Sequence, residues 1–178
     1  MEVLLEYLEK VGGKLMYFCV MPTHYHLVIY IQDYETLSEV MRHVNLSLSK
    51  HLHHKEKVTG SVWKGKLWSR GICNDKDLFD TMKYIYDNPE KARIDQAEKY
   101  QKGSAYECAS YFKLGCYTDR PFLEKFSGKT LSEIRQMMRP PRSIFEPRLD
   151  KEFAAMSTDA MCRKYFINPA TKNPRRRS

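Results

Sequence analysis

Residues 14–31 constrain the fold more than any other stretch of the chain. Lys14–Met21 is rich in aromatic and β-prone side chains and reads as a strand. Pro22-Thr23 interrupts it as a break or bulge, and His24–Ile31 continues as strand. Side chains alternate between the two faces of a strand, so His24, His26, Val28 and Tyr30 share one face. Tyr25, Leu27, Ile29 and Ile31 share the other, more apolar face, which is expected to be the core side.

Helical spacing surrounds this region. Leu4, Leu5, Leu8 and Val11 fit one helix face, and Gly12-Gly13 ends that helix. Leu37, Val40, Met41, Val44, Leu48 and Leu52 mark a long helix over Thr36–His54. Ser61–Cys73 interleaves aromatic and basic residues and is expected to be strand plus turn. Asn74 or Asp75 caps a helix that runs to about Asp87, where Asn88-Pro89 is expected to interrupt it. A short helix is expected over Leu131–Met138, and Pro140-Pro141 reads as a hinge. This order predicts an α+β fold, an antiparallel β-sheet with helices packed on one side.

The 178 residues carry a formal charge of +8, unevenly placed. Residues 1–60 have a net charge of −1, residues 61–126 of +2 and residues 127–178 of +7. Such asymmetry points to a polyanionic partner or to a solvated basic tail. The five cysteines are scattered without a C-x-x-C pair, so reduced thiols in a cytoplasmic protein are expected. The acidic, amphipathic start is not a signal peptide, and no apolar run is long enough to cross a bilayer.

Two imidazoles on one strand face, about 7 Å apart along the strand, can converge on one metal ion. Imidazole suits Mn²⁺ or Zn²⁺, and Mg²⁺ accepts it when oxygen ligands complete the shell. An H-x-H pair alone is a weak signal. His43, His51, His53 and His54 lie on the long helix and are read as surface residues or contacts to DNA phosphate.

On the helix from Asp75, Leu78, Phe79, Met82, Ile85 and Tyr86 form the core face. Tyr84 and Asn88 lie four residues apart on a neighbouring stripe with Asp77 and Thr81. A tyrosine oxygen can attack a phosphodiester and form a covalent phosphotyrosine. Its pKa of about 10 means that it needs help at neutral pH, which a metal on the phosphate oxygens can give. Asn88 offers an amide oxygen as a third ligand beside His24 and His26. Asp87 is the less favoured substitute, since it points away from that stripe.

The segment Val20-Met21-Pro22-Thr23-His24-Tyr25-His26-Leu27-Val28 resembles the HUH segment of the REP-associated tyrosine transposases, single-tyrosine members of the HUH transposase superfamily. Tyr84-Ile85-Tyr86-Asp87-Asn88-Pro89-Glu90-Lys91-Ala92 resembles their tyrosine segment. Gly60–Ser69 resembles their aromatic-basic segment, and Tyr106–Tyr111 is faintly similar to a later Ser-Ser-Tyr signature. Order and spacing match across roughly residues 1–115. The resemblance implies an HUH, ferredoxin-like palm over residues 1–126 with the histidines on a central strand. Residues 127–178 have no matching counterpart and read from the sequence as a basic, partly helical extension. The resemblance further implies metal-dependent attack by Tyr84 on single-stranded, hairpin-containing DNA, using Mg²⁺ or Mn²⁺ and no ATP. The products would be a 5′-phosphotyrosine and a free 3′-hydroxyl, and reversal by another 3′-hydroxyl would rejoin strands in DNA transposition. Family members usually carry a further strand before the first helix, whereas this chain begins almost at that helix. The strand that normally lies beside the histidine strand is therefore expected to be missing.

Trp63, Trp68, Lys64, Lys66 and Arg70 combine rings with cations, the usual equipment for gripping single strands. Of the two tryptophans, Trp68 is expected to be at least half buried. Arg135, Arg139, Arg142 and Arg175–Arg177 are candidates for gripping duplex or hairpin backbone. No membrane partner is expected, and the assembly is read as a monomer or a homodimer. The competing reading is an inactive or domesticated binder of structured DNA. A small metal hydrolase unrelated to DNA ranks third, because no clustered carboxylate or third histidine accompanies His-Tyr-His.

Overall fold

The computed structural model describes residues 1–57, 59–63, 67–110 and 116–139. Lys64, Lys66, the Pro140-Pro141 hinge, Arg142, Arg175–Arg177 and the rest of the basic segment from residue 140 onward lie outside the described residues.

The elements run α1 (Glu2–Lys10), β1 (Lys14–Val20), β2 (Tyr25–Tyr30), α2 (Tyr34–Glu56), α3 (Asp75–Lys91), α4 (Ser104–Ala109), α5 (Arg120–Ser127) and α6 (Leu131–Met138). β1 and β2 pair antiparallel, and among the described residues they form the whole sheet. The fold is α+β with an antiparallel sheet, as expected.

Helices cover both faces of this hairpin, not one. On the first face α1 and α2 pack Leu4, Leu8, Val40 and Met41 against Leu15 and Phe18. On the second, α3, α4, α5 and α6 bring Leu78, Met82, Ile85, Cys108, Leu123 and Ile134 against Met16, Tyr17, Cys19 and Val28. The run Leu15–Cys19 is buried throughout, which suits a strand covered on both sides. A register shift between Leu15 and Tyr17 turns Met16 and Tyr17 to the same face. On β2 the most deeply buried residue is Val28, on the histidine face, so the apolar Tyr25-Leu27-Ile29 face is not the sole core side.

The outer edge of β1 would otherwise present unpaired amides. Residues 102–104 satisfy it: Val20 N–H donates to Lys102 O at 2.8 Å and Phe18 N–H to Ser104 Oγ at 2.8 Å. Gly103 sits between them, where a Cβ would come within 3.3 Å of Phe18 O, so a larger residue would crowd the close pass. The buried Glu107 carboxylate accepts from Tyr117 N at 2.7 Å and Thr118 N at 3.1 Å, joining α4 to the approach to α5.

Two expectations about elements are corrected. The described residues within Ser61–Cys73 form no strand. The helix of Tyr84 also does not stop at Asp87: α3 continues through Asn88 and Pro89 to Lys91. Proline here removes one N–H donor in the last turn only, and its ring is buried.

α6 is held by Glu98, whose carboxylate accepts from both Arg135 and Arg139. Burial pushes this carboxyl up, but the hydrogen bonds and charges of the two arginines outweigh it and hold the pKa at about 2. A folded pKa below the unfolded value of 4.5 means that this contact stabilises at neutral pH and is lost as pH falls toward about 2. Urea unfolding should therefore show lower stability at about pH 3 than at neutral pH, and Glu98→Gln should flatten the difference. An equal drop in the Glu98→Gln variant would place the acid sensitivity elsewhere.

Candidate active site

Pro22 and Thr23 are the two central residues of the hairpin turn. Met21 N–H donates to His24 O at 2.8 Å across it, and proline's fixed φ suits the first central position. The break read from sequence is thus the turn itself, and β2 begins at Tyr25. His24 closes the turn, exposed, with Nδ1 3.1 Å from the Thr23 hydroxyl. His26 is on β2, opposite Cys19, with its Nε2 turned away from solvent.

α3 crosses the same sheet face, anchored by Leu78, Met82 and Ile85. Its N-terminus is capped by Asn74, whose side-chain oxygen accepts from Asp77 N–H at 2.9 Å. This places half-buried Tyr84 beside His26. The rings form an edge-to-face series: His24 to His26 at 4.9 Å between centroids, and His26 to Tyr84 at 5.4 Å. One turn further, Asn88 donates its Nδ2 to Tyr84 O at 2.8 Å. That bond occupies the nitrogen end of the amide, so the oxygen is the end able to ligate a cation.

The structure thus brings His24, His26 and Tyr84 into one contact series, with Asn88 one helical turn beyond Tyr84. Lys91 joins them, its Nζ 5.1 Å from the centre of the Tyr84 ring. The sequence alone assigns Lys91 no role. Its one available signal is spacing: seven residues, or two helical turns, after Tyr84 returns to the same stripe.

Arg70 lies along this stripe too. Its guanidinium bonds Gly71 O at 3.1 Å, Asp77 Oδ2 at 2.8 Å and the Thr81 hydroxyl. Burial works against the Asp77 carboxylate, but hydrogen bonds from Arg70 and from Cys73 N–H outweigh it and lower its pKa. Arg70 therefore fastens residues 70–73 to the first turns of α3.

The remaining sequence candidates are dispersed. Trp63 packs on the opposite face of the hairpin: its Nε1 donates to Asn45 O and Ser49 Oγ, and its ring meets Tyr25 edge-on at 5.7 Å. Trp68, expected to be half buried or more, is 53% exposed, so the packed tryptophan is Trp63. Arg135 and Arg139 share the Glu98 carboxylate. His43 stacks on Tyr7 at 4.6 Å, and His53 Nε2 lies 2.9 Å from Gly60 O.

Among the described residues no three His, Cys, Asp or Glu side chains gather in a metal-binding group. The donors at this site are two imidazoles and one amide oxygen, a set compatible with a divalent cation that keeps other oxygen ligands.

An antiparallel α+β frame thus carries two histidines beside a helix-borne tyrosine. Residues 1–88, just under half of the chain, match the family described as "Transposase IS200 like", and the match supports membership in it. The match includes both histidines, Tyr84 and Asn88. No curated protein and no solved structure matches the chain. The match points to transposase activity with DNA as partner. No helix among the described residues is long and apolar enough to cross a membrane.

Proposed function

We propose that this protein cuts and rejoins single-stranded, hairpin-containing DNA through a covalent link to Tyr84, as a REP-associated tyrosine transposase in the cytoplasm. The observation that carries this reading is the contact series His24–His26–Tyr84, with Asn88 one turn beyond. The Tyr84 oxygen forms a bond to phosphorus, the bond from phosphorus to the 3′-oxygen breaks, and the phenolic proton is replaced on the departing 3′-hydroxyl. One phosphodiester is exchanged for another, so no nucleotide cofactor is required. His24, His26 and Asn88 would hold a divalent cation, Mg²⁺ or Mn²⁺. When bound, it withdraws charge from the phosphate oxygens. The Lys91 ammonium adds a fixed positive charge beside the ring, which favours the phenolate and the incoming phosphate alike. His26, edge-on to Tyr84, restricts the orientation of the ring.

The test is a denaturing gel. Labelled hairpin DNA with a single-stranded flank, incubated with the protein and Mn²⁺, should yield an adduct that survives denaturation. A chelator should prevent it. DNA binding without any adduct, over a range of metals, would favour the inactive structured-DNA binder instead.

A further inference from the structure

Beyond the candidate active site, the histidine face of β2 ends in a cluster of aromatic rings. Tyr30 meets Phe122 at 4.9 Å and Phe126 at 5.6 Å between ring centroids, and the two phenylalanines stack at 5.7 Å with planes 23° apart. They are an i, i+4 pair on α5, held by the Asp119 cap at one end and by Gly128, with φ of 64°, at the other.

Leu123 and Ser127 of the same helix are buried and Phe122 packs half-buried against the core, while Tyr30 remains 44% and Phe126 49% exposed. Single exposed aromatics are ordinary, but two exposed rings in contact, backed by half-buried Phe122, form a patch. Half of each exposed ring amounts to on the order of 100 Å². That is far below the roughly 800 Å² per partner of a stable protein interface, and it matches the face of one or two nucleobases.

Two lysines stand beside the patch. Lys125 is exposed next to Phe126, and Lys14 stands opposite Tyr30 on β1, 3.2 Å from Asp119. Tyr30 is four residues along β2 from His26, on the same face, about 13 Å away. A strand of a few nucleotides reaches from one to the other.

We infer that Tyr30, Phe122 and Phe126 form a base-stacking subsite for single-stranded DNA, with Lys125 placed to meet its backbone. This rests on the reading that the substrate is single-stranded DNA, and it adds where the strand runs beyond the cut. Stacking on aromatic side chains is tolerant of sequence, so the subsite holds any base.

The test is fluorescence anisotropy of the full chain with labelled oligothymidylate, and with an oligonucleotide of equal length whose sugars lack bases. Phe126→Ala should weaken binding to oligothymidylate by about fivefold or more and leave the abasic strand nearly unaffected. Phe126→Trp should retain the parental affinity. Equal weakening on both strands overturns the subsite, as does unchanged affinity in Phe126→Ala. Loss of a dimer in sedimentation without loss of affinity would assign the rings to self-association and also overturn it. A parent that binds oligothymidylate in a Phe126-dependent way yet forms no covalent adduct overturns the Tyr84 reading and leaves this subsite standing.

Discussion

Tyr84→Phe should eliminate the covalent protein–DNA adduct while leaving the protein folded and able to bind the same DNA. The substitution removes one oxygen and keeps the ring. The contact with His26 and the Lys91 ammonium over the ring face therefore survive. Phenylalanine has no atom that can bond phosphorus, so the loss should be at least about a thousandfold in cleavage rate. Contacts to the phosphate backbone lie mostly away from the reacting atom, and affinity should change little. Tyr86 is the internal control. Two residues along the helix it points elsewhere, near Lys83, and burial pushes its phenol up to about 12. Tyr86→Phe should cut at close to the parental rate. Single-turnover cleavage of labelled hairpin DNA checks both variants. Cleavage by Tyr84→Phe at the parental rate would exclude this residue as nucleophile.

Met82→Ala should have the largest effect on stability, about 2–5 kcal/mol. Met82 is wholly buried between α3 and the hairpin, among Met16, Tyr17, Val28 and Ile85. Shortening it removes apolar contact and leaves a void that the neighbouring helices cannot fully close. The consequence extends to the site, because Met82 sits half a turn from Tyr84 and fixes how α3 lies on β1. Urea denaturation should show a lower midpoint with an unchanged slope. Adduct formation should fall even where the variant remains folded, since small displacements of a reacting group reduce rate strongly. A destabilisation under about 1 kcal/mol would mean that the core here repacks readily.

Much of the frame is legible in the sequence because its signals are local. The spacing of Leu4 and Leu8, the β-prone run of β1 and the stripe of α3 each follow from one element's own periodicity. The candidate site residues are also local signals: His24 and His26 lie within one hairpin, and Tyr84 and Asn88 within one helical turn.

What escapes depends on contacts distant in sequence or on competing terms. Helices on both faces of the hairpin follow from the unbroken apolar run of β1, a signal that the alternation of β2 outweighs in the sequence. Pro89 reads as a stop because the residue before proline avoids helical geometry, yet the loss of one bond in the last turn is small beside the burial of its ring. Trp63 and Trp68 have equally apolar neighbours. Only the fold reveals that Asn45 and Ser49 on α2 offer the acceptors that bury Trp63. The pairing of Glu98 with Arg135 and Arg139 joins residues 37 and 41 positions apart, and no local pattern announces it. Arg70 reads as a phosphate contact because its partners, Asp77 and Thr81, belong to the next element.

The most direct measurement is to digest the covalent adduct and locate the nucleotide by mass spectrometry. The account predicts a single modified peptide, carrying a 5′-phosphate ester on the oxygen of Tyr84 and formed only when a divalent metal is supplied. A nucleotide found on Tyr86, Tyr25 or any other side chain, or the same yield in the presence of a chelator, would contradict it.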